Sequence, residues 1–139
     1  MRIKLLDKLF YVVYNSYYKH GEFKNDIPPL TVGGIFGIMF LCMTLSIFCV
    51  LGWINPVYAK LPKLNKVILT LIMLFFGALV YFIFYYNQRY LKIYNLYKEN
   101  KFLNSQVAKI ECFAFIIGVI LLPIALLFIR NKIVNGRWF

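Results

Sequence analysis

The chain has 139 residues, of which 62% are hydrophobic and 15% are charged, and its formal net charge is +11. A soluble domain of this size buries about two thirds of its unfolded surface and is about 45–50% apolar, so this composition excludes an ordinary soluble fold. The basic residues lie beside the apolar runs and not in one block, which favours anionic lipid headgroups over nucleic acid as the partner. We therefore expect an all-α integral membrane protein, a single membrane domain over residues 1–139, with about three transmembrane helices.

Residues 1–20 are predicted to form an amphipathic helix that lies in the membrane interface. Apolar and aromatic side chains are interspersed there with polar ones, and aromatic rings favour the headgroup region. Lys4 and Lys8 are the expected membrane-surface basic residues of this helix. An amphipathic helix packed on another domain is the alternative interpretation. Pro28 and Pro29 then mark a hinge before the first span, because proline disrupts a helix interior.

The first predicted span, residues 30–54, has 25 residues and no Asp, Glu, His, Lys or Arg. A helix of that length measures about 37 Å, which is enough to cross a hydrocarbon core of about 30 Å. Small side chains recur in it at Gly33, Gly37, Thr44 and Ser46. The Gly-x-x-x-Gly spacing predicts close helix association, within the chain or between chains, and a pore lining is a second interpretation. The alternative is that glycine is simply common in membrane helices.

The second predicted span covers residues 67–86, and its helix is expected to continue to about residue 100 because neither Gly nor Pro interrupts residues 87–100. Four tyrosines follow one predicted face at spacings of four, four and three residues: Tyr86, Tyr90, Tyr94 and Tyr97. This stripe is predicted to dock either a partner protein or, in the preferred interpretation, the N-terminal helix. Basic residues expected at the membrane surface follow the span: Arg89, Lys92, Lys98 and Lys101.

The third predicted span covers residues 112–129 and contains Pro123, which is expected to kink the helix. A re-entrant segment bent at Pro123 is the alternative. Glu111 lies at the entry of this span and would form a cation-attracting ring in an oligomer. The preferred interpretation of Glu111 is an ordinary interfacial charge that pairs with a nearby base such as Lys109.

Basic residues on the two sides of the membrane predict the orientation. With three spans, residues 1–29 and 87–111 hold ten Lys and Arg on one side, against six on the other. The positive-inside rule then places the N-terminus in the cytoplasm of a cell with an inner (cytoplasmic) membrane. A re-entrant third segment would place the C-terminus on the same side as the N-terminus and change the count of Lys and Arg to 13 against three.

Catalytic chemistry is not indicated. The five carboxylates show no acid–base spacing, and His20 is the only histidine. The three cysteines lie in or beside apolar runs without metal-ligand spacing, which predicts small buried side chains. We therefore expect no enzyme, no metal and no cofactor. A coupled transporter is also disfavoured, because such proteins carry ionisable residues inside their spans.

With catalysis and coupled transport disfavoured, association between helices is the remaining basis for a function. We expect a small multi-pass protein that self-associates, as a homo-oligomeric channel or a membrane-perturbing effector. The layout is similar, in size and hydropathy, to that of many small multi-pass bacterial membrane proteins, some of which are channel-like effectors of toxin or anti-phage operons. The alternative function is a non-catalytic membrane anchor or accessory subunit with a protein partner on the cytoplasmic side.

Overall fold

The computed structural model describes residues 4–17, 28–54 and 66–136. Its five α-helices are α1 (Lys4–Tyr17), α2 (Pro28–Ile54), α3 (Lys66–Val80), α4 (Arg89–Tyr97) and α5 (Gln106–Asn135). Three helical stretches are long and apolar enough to cross a membrane: Leu30–Ile54, Lys66–Tyr97 and Gln106–Ile133. The predicted all-helical class with three apolar helices is thus confirmed. The ends of the predicted first helix, and the basic residues Arg2, Lys19, Lys24, Lys60, Lys63 and Arg137, lie outside the described residues.

The first and third apolar helices, α2 and α5, make the most extensive helix–helix contact of the described chain. Buried side chains follow one face of α2 at spacings of four and three residues, namely Val32, Phe36 and Met39. Cys112 and Ile116, four residues apart, form the buried stripe of α5. Such i, i+3 and i, i+4 stripes are the faces that packed helices present to each other. The core contains these stripes together with Phe10–Tyr14 of α1, so it lies where α1 packs on α2 and α5.

The third apolar helix is longer than predicted and does not turn back. α5 begins six residues before the expected start at Cys112 and continues six residues beyond Ile129. The Ser105 side chain caps it by accepting a hydrogen bond from the Ala108 amide at 3.2 Å. Pro123 lies inside this single helix, and its side chain is buried. The re-entrant alternative is therefore wrong, while the kink at Pro123 stays a prediction.

The second apolar stretch is not the continuous helix predicted to residue 100. After α3 come a π-helical turn, Tyr81–Tyr85, and a short 3-10 turn, Tyr86–Gln88. Asn87 and Gln88 adopt left-handed backbone angles, with φ of 55° and 53°. Two consecutive left-handed residues end the helical hydrogen-bond ladder, so α4 starts anew at Arg89. We call Tyr86–Gln88 the break; it separates α3 from α4 and removes the predicted projecting rod.

The first helix is enclosed rather than lying on a surface. Five consecutive residues, from Phe10 to Tyr14, are buried, and they point in all directions because a helix turns once every 3.6 residues. α1 contacts α2, α4 and α5. The exposed residues of α1 are Lys4, Leu5, Lys8 and Tyr17. We call α1, α4 and residues 98–112 the cap.

Candidate functional site

An ion pair joins α1 to the start of α4. The Arg89 guanidinium donates from Nη2 to Asp7 Oδ1 at 2.7 Å, and the Asp7 side chain is only 5% exposed. Removing a carboxylate from water is costly unless it is paired and hydrogen-bonded. The break permits this contact, because it makes Arg89 the first residue of a separate helix. α1 and α4 are thereby held in one relative position.

Next along α1 from the ion pair, stacked aromatic rings connect this helix to α2 and to the π-helical turn. The ring of Phe10 is fully buried and stacks on Phe84 with centroids 4.2 Å apart. It also contacts Phe36 of α2 at 5.6 Å and Tyr85 at 6.2 Å. Aromatic pairs at such separations add about 0.5–1.5 kcal/mol beyond the burial of their area. Phe10 therefore occupies the point where α1, α2 and the π-helical turn meet.

Three of the four predicted stripe tyrosines contact α1. Tyr90 packs on Tyr14 with ring centroids 6.0 Å apart, and Tyr94 lies 5.9 Å from both Tyr11 and Tyr14. Tyr97 also lies 5.9 Å from Tyr11. The fourth, Tyr86, departs from the stripe because the break turns it away. It is exposed and contacts Phe82 instead.

Asn104 links the cap through three hydrogen bonds. Its Oδ1 accepts from Tyr11 Oη at 2.6 Å and from Asn15 Nδ2 at 3.0 Å. Its Nδ2 donates to the Lys98 carbonyl at 2.9 Å. Burial raises the pKa of the Tyr11 phenol above its ordinary value of 10.0, and the Asn104 hydrogen bond opposes this in part. Tyr11 therefore stays neutral at physiological pH and acts as a hydrogen-bond donor.

A cavity opens at the break, and we call it the break cavity. Its volume is about 440 Å³, and its polar lining consists of Asp7, Asn87, Arg89 and Lys92. The remaining lining is apolar or aromatic: Phe82, Tyr86, Ile93 and Leu96. The cavity thus joins charged groups to exposed apolar surface where the apolar helix ends.

A second, larger cleft lies between α2 and α3, and we call it the groove. Its volume is about 540 Å³, and its lining is almost wholly apolar. A Cβ added at Gly33 would lie 3.2 Å from Tyr85 Oη and 3.5 Å from Val80, so this glycine is covered within the chain. At Gly34 and Gly77 an added Cβ meets no described atom outside its own helix within 4 Å. Gly34 and Gly77 are therefore the open glycines of the groove.

Of the predicted small residues, Gly33 and Gly37 both face Val80 and line the groove, whereas Thr44 and Ser46 lie outside it. Gly37 would place a Cβ 4.0 Å from Val80, which is ordinary contact. Thr44 and Ser46 donate their hydroxyls to the Phe40 and Cys42 carbonyls one turn earlier, at 2.9 and 2.8 Å. Hydroxyls satisfied in this way offer little polarity to a pore.

The remaining predicted site residues lie apart from these clusters. Glu111 is exposed and lines a small cleft of about 190 Å³ together with Lys8 of α1. Lys4, Lys98 and Lys101 are exposed on the cap, as expected of basic residues that contact solvent or headgroups. Within residues 4–17, 28–54 and 66–136, no group of three His, Cys, Asp or Glu side chains could hold a metal ion.

Sequence reasoning missed Asp7 and Asn104, the two polar residues that organise the cap. The available signal for Asp7 was its position as the single carboxylate in an aromatic and basic helix.

Comparisons with protein-family models, with curated proteins and with solved structures found no match for this chain.

Proposed function

We propose that this chain is a three-span protein of the inner (cytoplasmic) membrane that self-associates through the groove. In this proposal the assembly is a homo-oligomeric channel or a membrane-perturbing effector of the bacterial toxin or anti-phage kind. The observation that carries the proposal is the pair of open glycines, Gly34 and Gly77, on the two walls of one apolar cleft.

The groove has the residues expected of a surface that a helix from another copy packs against. Its α2 wall includes Leu30, Gly34, Gly37 and Leu41, which share one helical face. In lipid, helices associate through close packing of small residues, because the hydrophobic effect does not drive them together. A second copy could therefore approach at Gly34 and Gly77, while Gly33 serves the fold of the protomer.

The α3 helix supports the same proposal. Large apolar side chains are exposed around most of its length, and Val80 at its end is its one buried residue. Lipid could cover this surface, as it covers any span. A neighbouring protomer in the groove would instead cover Met73, Phe76 and Gly77 on the groove side of α3.

A channel requires assembly, because three helices packed in contact cannot enclose a water-filled path. The positive-inside count places the cap and its exposed lysines in the cytoplasm in this proposal. There they would face anionic headgroups of the inner leaflet. The effector part of the proposal is supported only by the size and layout of the chain.

Native mass spectrometry and conductance recordings test this function. We expect the detergent-solubilised full chain to give a single closed oligomer of four or more copies, and to conduct ions in planar bilayers. A monomer would contradict self-association. A closed oligomer that stays silent in repeated bilayer recordings would contradict the channel while leaving a membrane-perturbing role.

A non-catalytic anchor or accessory subunit is the second candidate function. Leu96 and Phe102 are exposed on the cap, at 53% and 61%, and they offer an apolar surface to a partner protein. The tyrosine stripe no longer supports this function, because α1 occupies most of it. A stoichiometric partner recovered with the chain, and lost on Phe102→Ser, would favour this candidate over self-association.

A further inference from the structure

The break cavity combines cationic and apolar walls at the end of an apolar helix. Arg89 and Lys92 lie three residues apart, so they share one side of α4. Phe82 in the π-helical turn and Tyr86 at the start of the break are 65% and 54% exposed, and their ring centroids lie 6.0 Å apart. This order, from charged to apolar along one wall, follows the order of groups in a phospholipid.

The charges of the cavity favour a single negative charge in the ligand. Asp7 neutralises one of its two cations, which leaves one positive charge. Arg89 is 27% exposed and uses one of its five N–H donors on Asp7. The other donors, with the exposed ammonium of Lys92, suit the oxygens of a phosphodiester.

We propose that the break cavity binds an anionic phospholipid of one net negative charge, such as a phosphatidylglycerol. The phosphate contacts Arg89 and Lys92, and an acyl chain lies along Phe82 and Tyr86. This site depends on residence in a membrane and not on self-association, so it stands or fails separately from the proposed oligomer.

Lipid titration followed by native mass spectrometry tests the site on the full chain. The probes are dioleoylphosphatidylglycerol and dioleoylphosphatidylcholine. We expect the first to bind roughly tenfold more tightly, and Lys92→Gln to remove roughly tenfold of that affinity, as expected for a charged hydrogen bond. Lys98→Gln is the matched control, because it changes the net charge equally at an exposed lysine outside the cavity. It should change the affinity less than about twofold.

Two outcomes would overturn the site. An equal loss in Lys92→Gln and Lys98→Gln would show general charge attraction, and no loss in Lys92→Gln would show that the cavity is not the binding place. Inorganic phosphate supplies a further arm. We expect it not to displace the lipid at equal concentration; displacement would identify a site for soluble phosphate in place of a lipid.

Arg89 needs a paired substitution, since its loss alone would leave Asp7 buried without its partner. Asp7→Asn/Arg89→Gln removes both charges and keeps the net charge of the chain. We expect this variant to retain a cooperative unfolding transition and to lose phosphatidylglycerol affinity at least severalfold. Wild-type affinity in a folded double variant would exclude Arg89 as a ligand and contradict the proposal.

Discussion

The cap and the α3 helix are built in opposite ways. The cap holds a part-buried ion pair, stacked rings and a network around Asn104, and most of these contacts join elements distant in sequence. α3 exposes large apolar side chains along most of its length and is anchored mainly at Val80. A surface of that kind cannot remain in water, whereas lipid or another apolar helix would cover it. The specific contacts that define the protomer are therefore concentrated in the cap, and the groove beside α3 is left open to external partners.

Phe10→Ala should show the largest effect on the cap. The substitution removes a ring that has no exposed surface and that packs on Phe84, Phe36 and Tyr85. We expect the free energy of unfolding in detergent to fall by about 3–5 kcal/mol, as for other buried phenylalanines. Leu5→Ala on the same helix is the control, since Leu5 is 67% exposed, and it should change stability little. Equal effects of the two would show that α1 is not anchored through Phe10.

Breaking the Asp7–Arg89 ion pair should have an intermediate effect. Asp7→Ala leaves the partly buried Arg89 without its carboxylate, and we expect a loss of about 2 kcal/mol, below the range for fully buried pairs. A double-mutant cycle with Arg89→Gln should return a coupling energy of about 1–2 kcal/mol. Additive effects in that cycle would mean that the two side chains do not interact in the folded protein.

Tyr11→Phe should show the smallest effect of the three. It removes the hydrogen bond to Asn104 and keeps the ring contacts, so we expect a loss of about 1 kcal/mol at neutral pH. Because the folded-state pKa of Tyr11 is raised above 10.0, its contribution is present below pH 10 and is lost as the pH rises through the folded pKa. The difference between wild type and Tyr11→Phe should therefore shrink at alkaline pH. Tyr17→Phe, at an exposed position, controls for loss of a hydroxyl.

The apolar helices were predictable because their signal is local. Twenty-five residues without Asp, Glu, His, Lys or Arg predict a span-length helix at residues 30–54 from length and composition alone. The tyrosine spacing at 90, 94 and 97 likewise predicts a shared helix face, and those tyrosines do lie against α1.

The break and the ion pair were not predictable in the same way. Left-handed angles at Asn87 and Gln88 arise without Gly or Pro, although Asn tolerates this conformation better than most residues. The Asp7–Arg89 contact joins positions 82 residues apart, and no local pattern reports such a distance. The open glycines also depend on tertiary packing: Gly33 and Gly34 are neighbours in sequence, yet Tyr85 and Val80 cover only the first.

The mass of the detergent-solubilised particle tests the groove most directly when three chains are compared: wild type, Gly34→Leu/Gly77→Leu, and Gly118→Leu. Gly118 is the matched control, an exposed glycine of α5 outside the groove, and leucine is well tolerated in helices. We expect a closed oligomer for wild type and for Gly118→Leu, and a folded monomer for the groove variant. Retention of the wild-type mass by Gly34→Leu/Gly77→Leu would contradict self-association through the groove.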